Sequence, residues 1–185
     1  MRLEKEERHE HRIGTSSRAG RAMSARPPLD DILSDPVGAA RHLGREIGVS
    51  TWVDVPQERI TTFGRNTGDE YWIHMDPERA RRESPFGGST IAHGFLLLSL
   101  LAEMFYKGIL QGKEYSGLNY GLDRVRFLNP VKAGSRLRGH FTLQHVRPTA
   151  DGANLTWAVT VECEGSDQPA LVAEWICRMH TPAQS

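Results

Sequence analysis

The densest cluster of polar functional groups in the chain is Thr67-Gly68-Asp69-Glu70-Tyr71-Trp72-Ile73-His74-Met75-Asp76-Pro77, set among apolar neighbours. Asp69 and His74 are five residues apart in what reads as a loop between two helices, so both can turn toward one water. Adding water to a double bond conjugated to a carbonyl needs a base to deprotonate the water. It also needs an acid to protonate the carbon next to the carbonyl, and a donor for the enolate oxygen. Asp69 and His74 are of the right types for the first two tasks. The backbone N–H of Gly94 suits the third, because Ala92-His93-Gly94 opens a strongly apolar helix whose unpaired N–H groups and dipole favour an oxyanion. A glycine there lets a ligand come close to the backbone.

Other side chains compete for roles. His93 is expected to fix the helix entrance by hydrogen bonding rather than to perform chemistry. Ser99 can reach a pocket, but a serine inside a buried helix commonly bonds the carbonyl one turn back. Tyr71 fills space or lines the path of the substrate together with Trp72. Arg124 and Arg126 sit on the polar face of a strand, with solvation favoured over contact to a coenzyme phosphate. Asp69, His74, Asp76 and His93 have the residue types of a metal site, yet Asp76 before Pro77 is better explained as a helix cap. No metal and no cofactor is therefore expected.

These residues must be positioned by elements that the pattern makes visible. Leu29 to Ile47 has a helical rhythm broken at Pro36 and Gly38, and reads as one or two short helices closed by Gly48. Thr51 to Val55 reads as a first strand. Asp54 is expected to cap a helix from Pro56 to about Asn66, which Thr67-Gly68-Asp69 ends in a turn. A capped helix from Pro77 to Glu83 follows, broken by Ser84-Pro85. Ile91 to Leu110 is apolar around nearly its whole circumference, so it must be buried on most sides, with Ser99, Glu103 and Lys107 as its one polar line. After Gly117 the period becomes two. Val125 and Phe127, then Leu137, Phe141 and Leu143, then Leu155 to Cys163, then Leu171 to Met179 mark apolar strand faces separated by Asn129-Pro130, Pro148 to Gly152 and Gly165 to Pro169. An antiparallel meander wrapped around the long helix buries both surfaces, giving a single α+β domain.

The chain has 185 residues, 38% of them hydrophobic, and Lys+Arg equals Asp+Glu at 23 each. One domain over residues 29–185 fits that length. A balanced charge offers no field to attract nucleic acid or an anionic membrane. Cys163 and Cys177 form neither a disulfide framework nor a ligand cluster. Met1 to Pro28 holds seven Lys/Arg, four Glu and almost no large apolar residue, and reads as a disordered tail. With neither a secretory h-region nor a long apolar span, a cytoplasmic location is expected.

The motifs resemble one family. Thr67-Gly68-Asp69, Ile73-His74, Asp76-Pro77-Glu78-Arg79-Ala80, Phe86-Gly87-Gly88 and Ile91-Ala92-His93-Gly94 follow the pattern of the MaoC-like dehydratases, including the (R)-specific enoyl-CoA hydratases, and within them the branch named for nodulation protein N. The resemblance runs from about Val49 to His180. It implies a hot-dog fold, usually dimeric, with Asp69 and His74 as the catalytic pair and Gly94 as the oxyanion donor. It also implies acyl groups carried on coenzyme A or acyl carrier protein. The common Asn-Pro between Asp and His is Tyr71-Trp72 here, which bears on pocket shape and substrate choice. A hot-dog thioesterase and a non-catalytic acyl-binding module are the alternatives, because one fold hosts several activities.

Overall fold

The computed structural model describes residues 29–114 and 116–181, so the opening segment read as a tail lies outside the described residues. The chain enters through α1 (Leu29–Ser34) and a 3-10 turn (Gly38–His42). Ile47, expected at the end of a helix, instead lies in β1 (Glu46–Val49), because its buried side chain joins the sheet rather than a helix face. β2 (Val53–Val55) leads into α2 (Gln57–Thr67), which ends at Gly68 in the left-handed conformation, φ 78°, as its turn sequence implies. Pro56, not Asp54, is the residue before α2, and no side chain caps that end. Two short helices follow, α3 (Trp72–Met75) and α4 (Pro77–Glu83), with the Asp76 carboxylate accepting the Arg79 N–H at 2.9 Å as the cap of α4.

The long apolar helix, α5 (Gly94–Glu103), continues into a π-helical stretch, Met104–Leu110. Its polar line behaves as its spacing suggests: Lys107 pairs with Glu103 at 3.0 Å, and Arg59 of α2 reaches the same carboxylate at 3.2 Å. Gly108 meets the backbone of Ser50 so closely that a Cβ would lie 2.6 Å from Ser50 Cα.

Four further strands, β3 (Gly117–Phe127), β4 (Ser135–Thr149), β5 (Gly152–Cys163) and β6 (Leu171–His180), complete one antiparallel sheet. Its order is β1-β4-β5-β6-β3, with β2 also on β4. The expected alternation holds on β4, β5 and β6: Leu137, Phe141, Leu143, Leu155, Trp157, Val159, Val161, Leu171, Trp175 and Cys177 are all buried. These faces close on the helix. Phe105 lies between Phe141, Trp157 and Trp175, with ring centroids 5.4, 5.4 and 5.5 Å away.

The expected meander needs a correction. β3 pairs with β6, not with β4, and none of its residues is fully buried. Asn129-Pro130 is therefore not a hairpin turn but part of a crossover from the edge strand β3 past β6 and β5 to β4. Phe127, expected in the core, is half exposed. The crossover has its own partners: Val131 O accepts the Ala92 N–H at 2.7 Å, Ala133 N–H donates to Thr90 O at 3.0 Å, and Gly134 N–H donates to Val55 O at 2.9 Å. No helix among the described residues is long and apolar enough to cross a membrane.

Phe105 is fully buried in the aromatic cluster that joins helix to sheet. Phe105→Ala should therefore lower unfolding free energy by about 3–5 kcal/mol, measured by urea titration; a loss under about 1 kcal/mol would mean that the helix is not anchored there.

Candidate active site

Gly68 reverses the chain after α2 and leaves Asp69 on the short link to α3, with 58% of its side chain exposed. His74 sits in the third position of α3 rather than in a loop, because Tyr71 O and Trp72 O accept the N–H groups of His74, Met75 and Asp76 and wind that segment into a helical turn. The half-buried imidazole of His74 turns toward the segment before α5, where Nδ1 lies 2.7 Å from the Ile91 carbonyl. A carbonyl can only accept, so Nδ1 carries the hydrogen and the lone pair is on Nε2. Ile91 also donates its N–H to Ile73 O at 3.1 Å, clasping α3 from both sides.

His93 is the residue before the first turn of α5 and is 2% exposed. Its Nε2 donates to the Asp69 backbone carbonyl at 2.8 Å, and its ring stacks on that of His74 with centroids 3.9 Å apart. His93 thus does at this helix entrance the hydrogen-bonding work expected of it. One carboxylate oxygen of Asp69 and one ring nitrogen from each of His74 and His93 all lie within 4.8 Å of one another. One water making two hydrogen bonds of about 2.8 Å can bridge such a separation. A metal ion fits less well: the two rings are stacked only 27° from parallel, so their in-plane lone pairs lie in separate, nearly parallel planes rather than aiming at one ion. Asp76, considered with them from sequence, is engaged in capping α4.

Gly94 is the first residue of α5, and no side chain caps this end. Its N–H has no acceptor within the helix and points along the axis, out of the amino end. A Cβ on Gly94 would meet the Phe127 ring at 3.1 Å, and Phe95 stands edge-on to Phe127 at 6.0 Å. The close approach that glycine permits at the side of the helix is thus made by Phe127. The helix end itself is left to the N–H groups.

The remaining candidates are dispersed. Ser99 donates to Phe95 O and Leu96 O at 3.0 and 2.8 Å, yet it also borders a cavity of about 420 Å³ between α5 and the sheet, walled by Phe95, Leu98, Ala102, Leu122 and Trp175. Tyr71 is 61% exposed, and Trp72 lies beneath the Arg79 guanidinium at 4.3 Å; neither borders that cavity. Arg124 faces Glu174 at 3.4 Å, and Arg126 bonds the Val125 carbonyl.

Sequence reasoning missed the supports of His74. Gln57 Nε2 donates to the His74 carbonyl at 2.7 Å, while Gln57 Oε1 accepts from the buried Thr90 hydroxyl. Gly64 was missed as well. A Cβ there would lie 2.9 Å from Asp69 O and 3.3 Å from the His93 ring, so only glycine lets α2 pass this close. A glycine in a helix interior is the one signal that could have pointed to it.

Against known proteins, residues 39–164 match the MaoC like domain. The chain is 52% identical over 138 residues to nodulation protein N of Rhizobium leguminosarum bv. viciae, covering 72% of this chain and 84% of that protein. It is 45% identical over 136 residues to 3-hydroxyacyl-thioester dehydratase Z of Mycobacterium tuberculosis, covering 73% and 89%. The crystal structure of an (R)-hydratase from A. caviae superposes with a TM-score of 0.58 at 20% identity, covering 74% of this chain and 98% of that one, which shows the hot-dog fold.

The site has a titration that can be read directly. Burial pushes His74 below its ordinary value of 6.5, helped by His93 and opposed by the Ile91 hydrogen bond and the Asp69 charge. Below pH 6.5 the unfolded chain then takes up a proton that the folded chain resists, so His74 contributes stability above that value and loses it on acidification. An NMR titration should give the His74 imidazole a midpoint below 6.5; a midpoint above it would contradict the burial argument.

Proposed function

Because the chain belongs to the MaoC-like family of hydratases and dehydratases, we propose that it interconverts trans-2-enoyl thioesters and (R)-3-hydroxyacyl thioesters. Asp69 and His74 are the acid/base pair of this reading. The observation that carries it is the meeting of the Asp69 carboxylate with an imidazole whose Nδ1 is tied to a carbonyl, all within the reach of one water.

The pair holds that water between carboxylate and Nε2. Its oxygen bonds to C3 of the enoyl group as the C2–C3 π electrons shift toward the thioester carbonyl. The proton released to the pair is returned to C2. The enolate oxygen formed on the way lies at the amino end of α5, where the Gly94 N–H and the helix dipole stabilise it. Dehydration is the same path reversed. Lowered basicity suits His74 to this task, since a neutral imidazole is the form that can accept a proton. The acyl chain takes the cavity beside Ser99, and the carrier is coenzyme A or acyl carrier protein. The similarity to a 3-hydroxyacyl-thioester dehydratase of Mycobacterium tuberculosis supports the substrate class.

Residues 29–185 act as one domain in this reading, and its partner is a second copy of the chain. β3 is an edge strand with Leu118 and Tyr120 exposed on it, a surface that pairing would cover. Sedimentation should give a homodimer; a monomer at micromolar concentration would oppose this.

Asp69→Asn and His74→Ala should each lower hydration of crotonyl-coenzyme A by about 10²- to 10⁴-fold, with unchanged circular dichroism and no release of free thiol. Wild-type activity in both variants would remove the mechanism, and thiol release by the wild type would favour hydrolysis.

A further inference from the structure

The supports of His74 meet at a side chain to which the acid/base reading gives no part. Gln57, the first residue of α2, sends Nε2 to the His74 carbonyl at 2.7 Å and to Thr61 Oγ at 3.1 Å, and its Oε1 takes the Thr90 hydroxyl hydrogen. Thr90 is 2% exposed and directly precedes Ile91, whose carbonyl receives His74 Nδ1–H. One amide therefore grips both ends of the bond that orients the catalytic imidazole: the backbone of the residue that donates and the neighbour of the residue that accepts. The amide has no freedom to flip. His74 O accepts only, so the NH₂ must face it, and the carbonyl oxygen is left for a hydroxyl that must donate.

We propose that Gln57 and Thr90 are positioning residues that hold His74 in the Nδ1–H tautomer with Nε2 open to the substrate water. This rests on the acid/base reading of His74 for its functional consequence but not for its structural one. Without the amide, His74 O and the Thr90 hydroxyl lose their partner in a half-buried setting, and α3 can relax away from the segment before α5. The Ile91 bond then lengthens, and the ring is free to place its hydrogen on either nitrogen. Both ends of the Gln57 amide, the His74 carbonyl, His74 Nδ1 and the Thr90 hydroxyl are all paired within it, and paired groups of this kind specify one geometry.

The test uses Gln57→Met, which keeps length and removes the amide, together with Thr90→Val and Thr90→Ser. In ¹⁵N-labelled full-length protein, the His74 ring shifts should report the Nδ1–H tautomer in the wild type and in Thr90→Ser. They should move toward a mixture of tautomers in Gln57→Met and Thr90→Val. With crotonyl-coenzyme A, kcat should fall by about 10- to 100-fold in Gln57→Met and Thr90→Val, with KM close to wild type, and Thr90→Ser should restore it. A role in folding alone would lower stability without moving the tautomer, and unchanged ring shifts in both variants would overturn the inference. Should Gln57→Met fail to fold, the Thr90 pair decides by itself. Altered shifts in a protein that never hydrates crotonyl-coenzyme A would sink the acid/base reading and leave the positioning role standing.

Discussion

The hydrogen bond from His74 Nδ1 to the Ile91 carbonyl, 2.7 Å long, is the constraint on which the site turns. A backbone carbonyl is a fixed acceptor that cannot titrate, so it imposes one tautomer and one ring orientation at every pH where the imidazole is neutral. For that to work the carbonyl must itself be immobile. Ile91 lies in a segment laced on one side to Ile73 of α3 and on the other to the crossover, through Ala92 to Val131 and Ala133 to Thr90. The crossover exists because β3 occupies the far edge of the sheet, beside β6, so that the chain must travel back before it can begin β4. The strand order thus has a consequence at the level of one proton.

Burial of α5 supplies the other half of the site. An apolar helix with Leu96, Leu97, Leu100 and Leu101 buried, continued by a π-helical stretch with Phe105 sunk against the sheet, cannot turn or slide without exposing them. Its amino end is consequently a fixed place, and the uncapped N–H groups there stand next to His93, which ties the end of the helix to the Asp69 backbone. The close passage of α2 at Gly64, against Asp69 O and the His93 ring, completes the enclosure. Burial also holds down the basicity of His74, so the packing that places the group also disfavours its charged form.

What could be read from the sequence was what depends on neighbours along the chain. Gly68 as the stop of α2, Asp76 as the cap of α4, the all-round apolar α5 and the alternation of β4, β5 and β6 are matters of turn chemistry and period, and each is found where its residues imply. The motif around Asp69 and His74 was legible because its residues sit within one short stretch. What escaped are contacts between distant residues. Gln57 and Thr90 are 33 positions apart and each is unremarkable alone. The pairing of β3 with β6 obeys the same alternation as a pairing with β4 would, so periodicity could not choose between them. Phe127 looks like a core residue by parity and becomes a half-exposed cover for Gly94 only because its strand is an edge.

In the proposed reaction the water held by Asp69 and His74 adds to carbon 3 of an enoyl thioester and not to its carbonyl. Equilibrating a 3-hydroxybutyryl thioester with the protein in H₂¹⁸O and reading the products by mass spectrometry decides it. Addition at carbon 3 places ¹⁸O in the hydroxyl group of an intact thioester; label found instead in a free carboxylate would mean attack at the carbonyl.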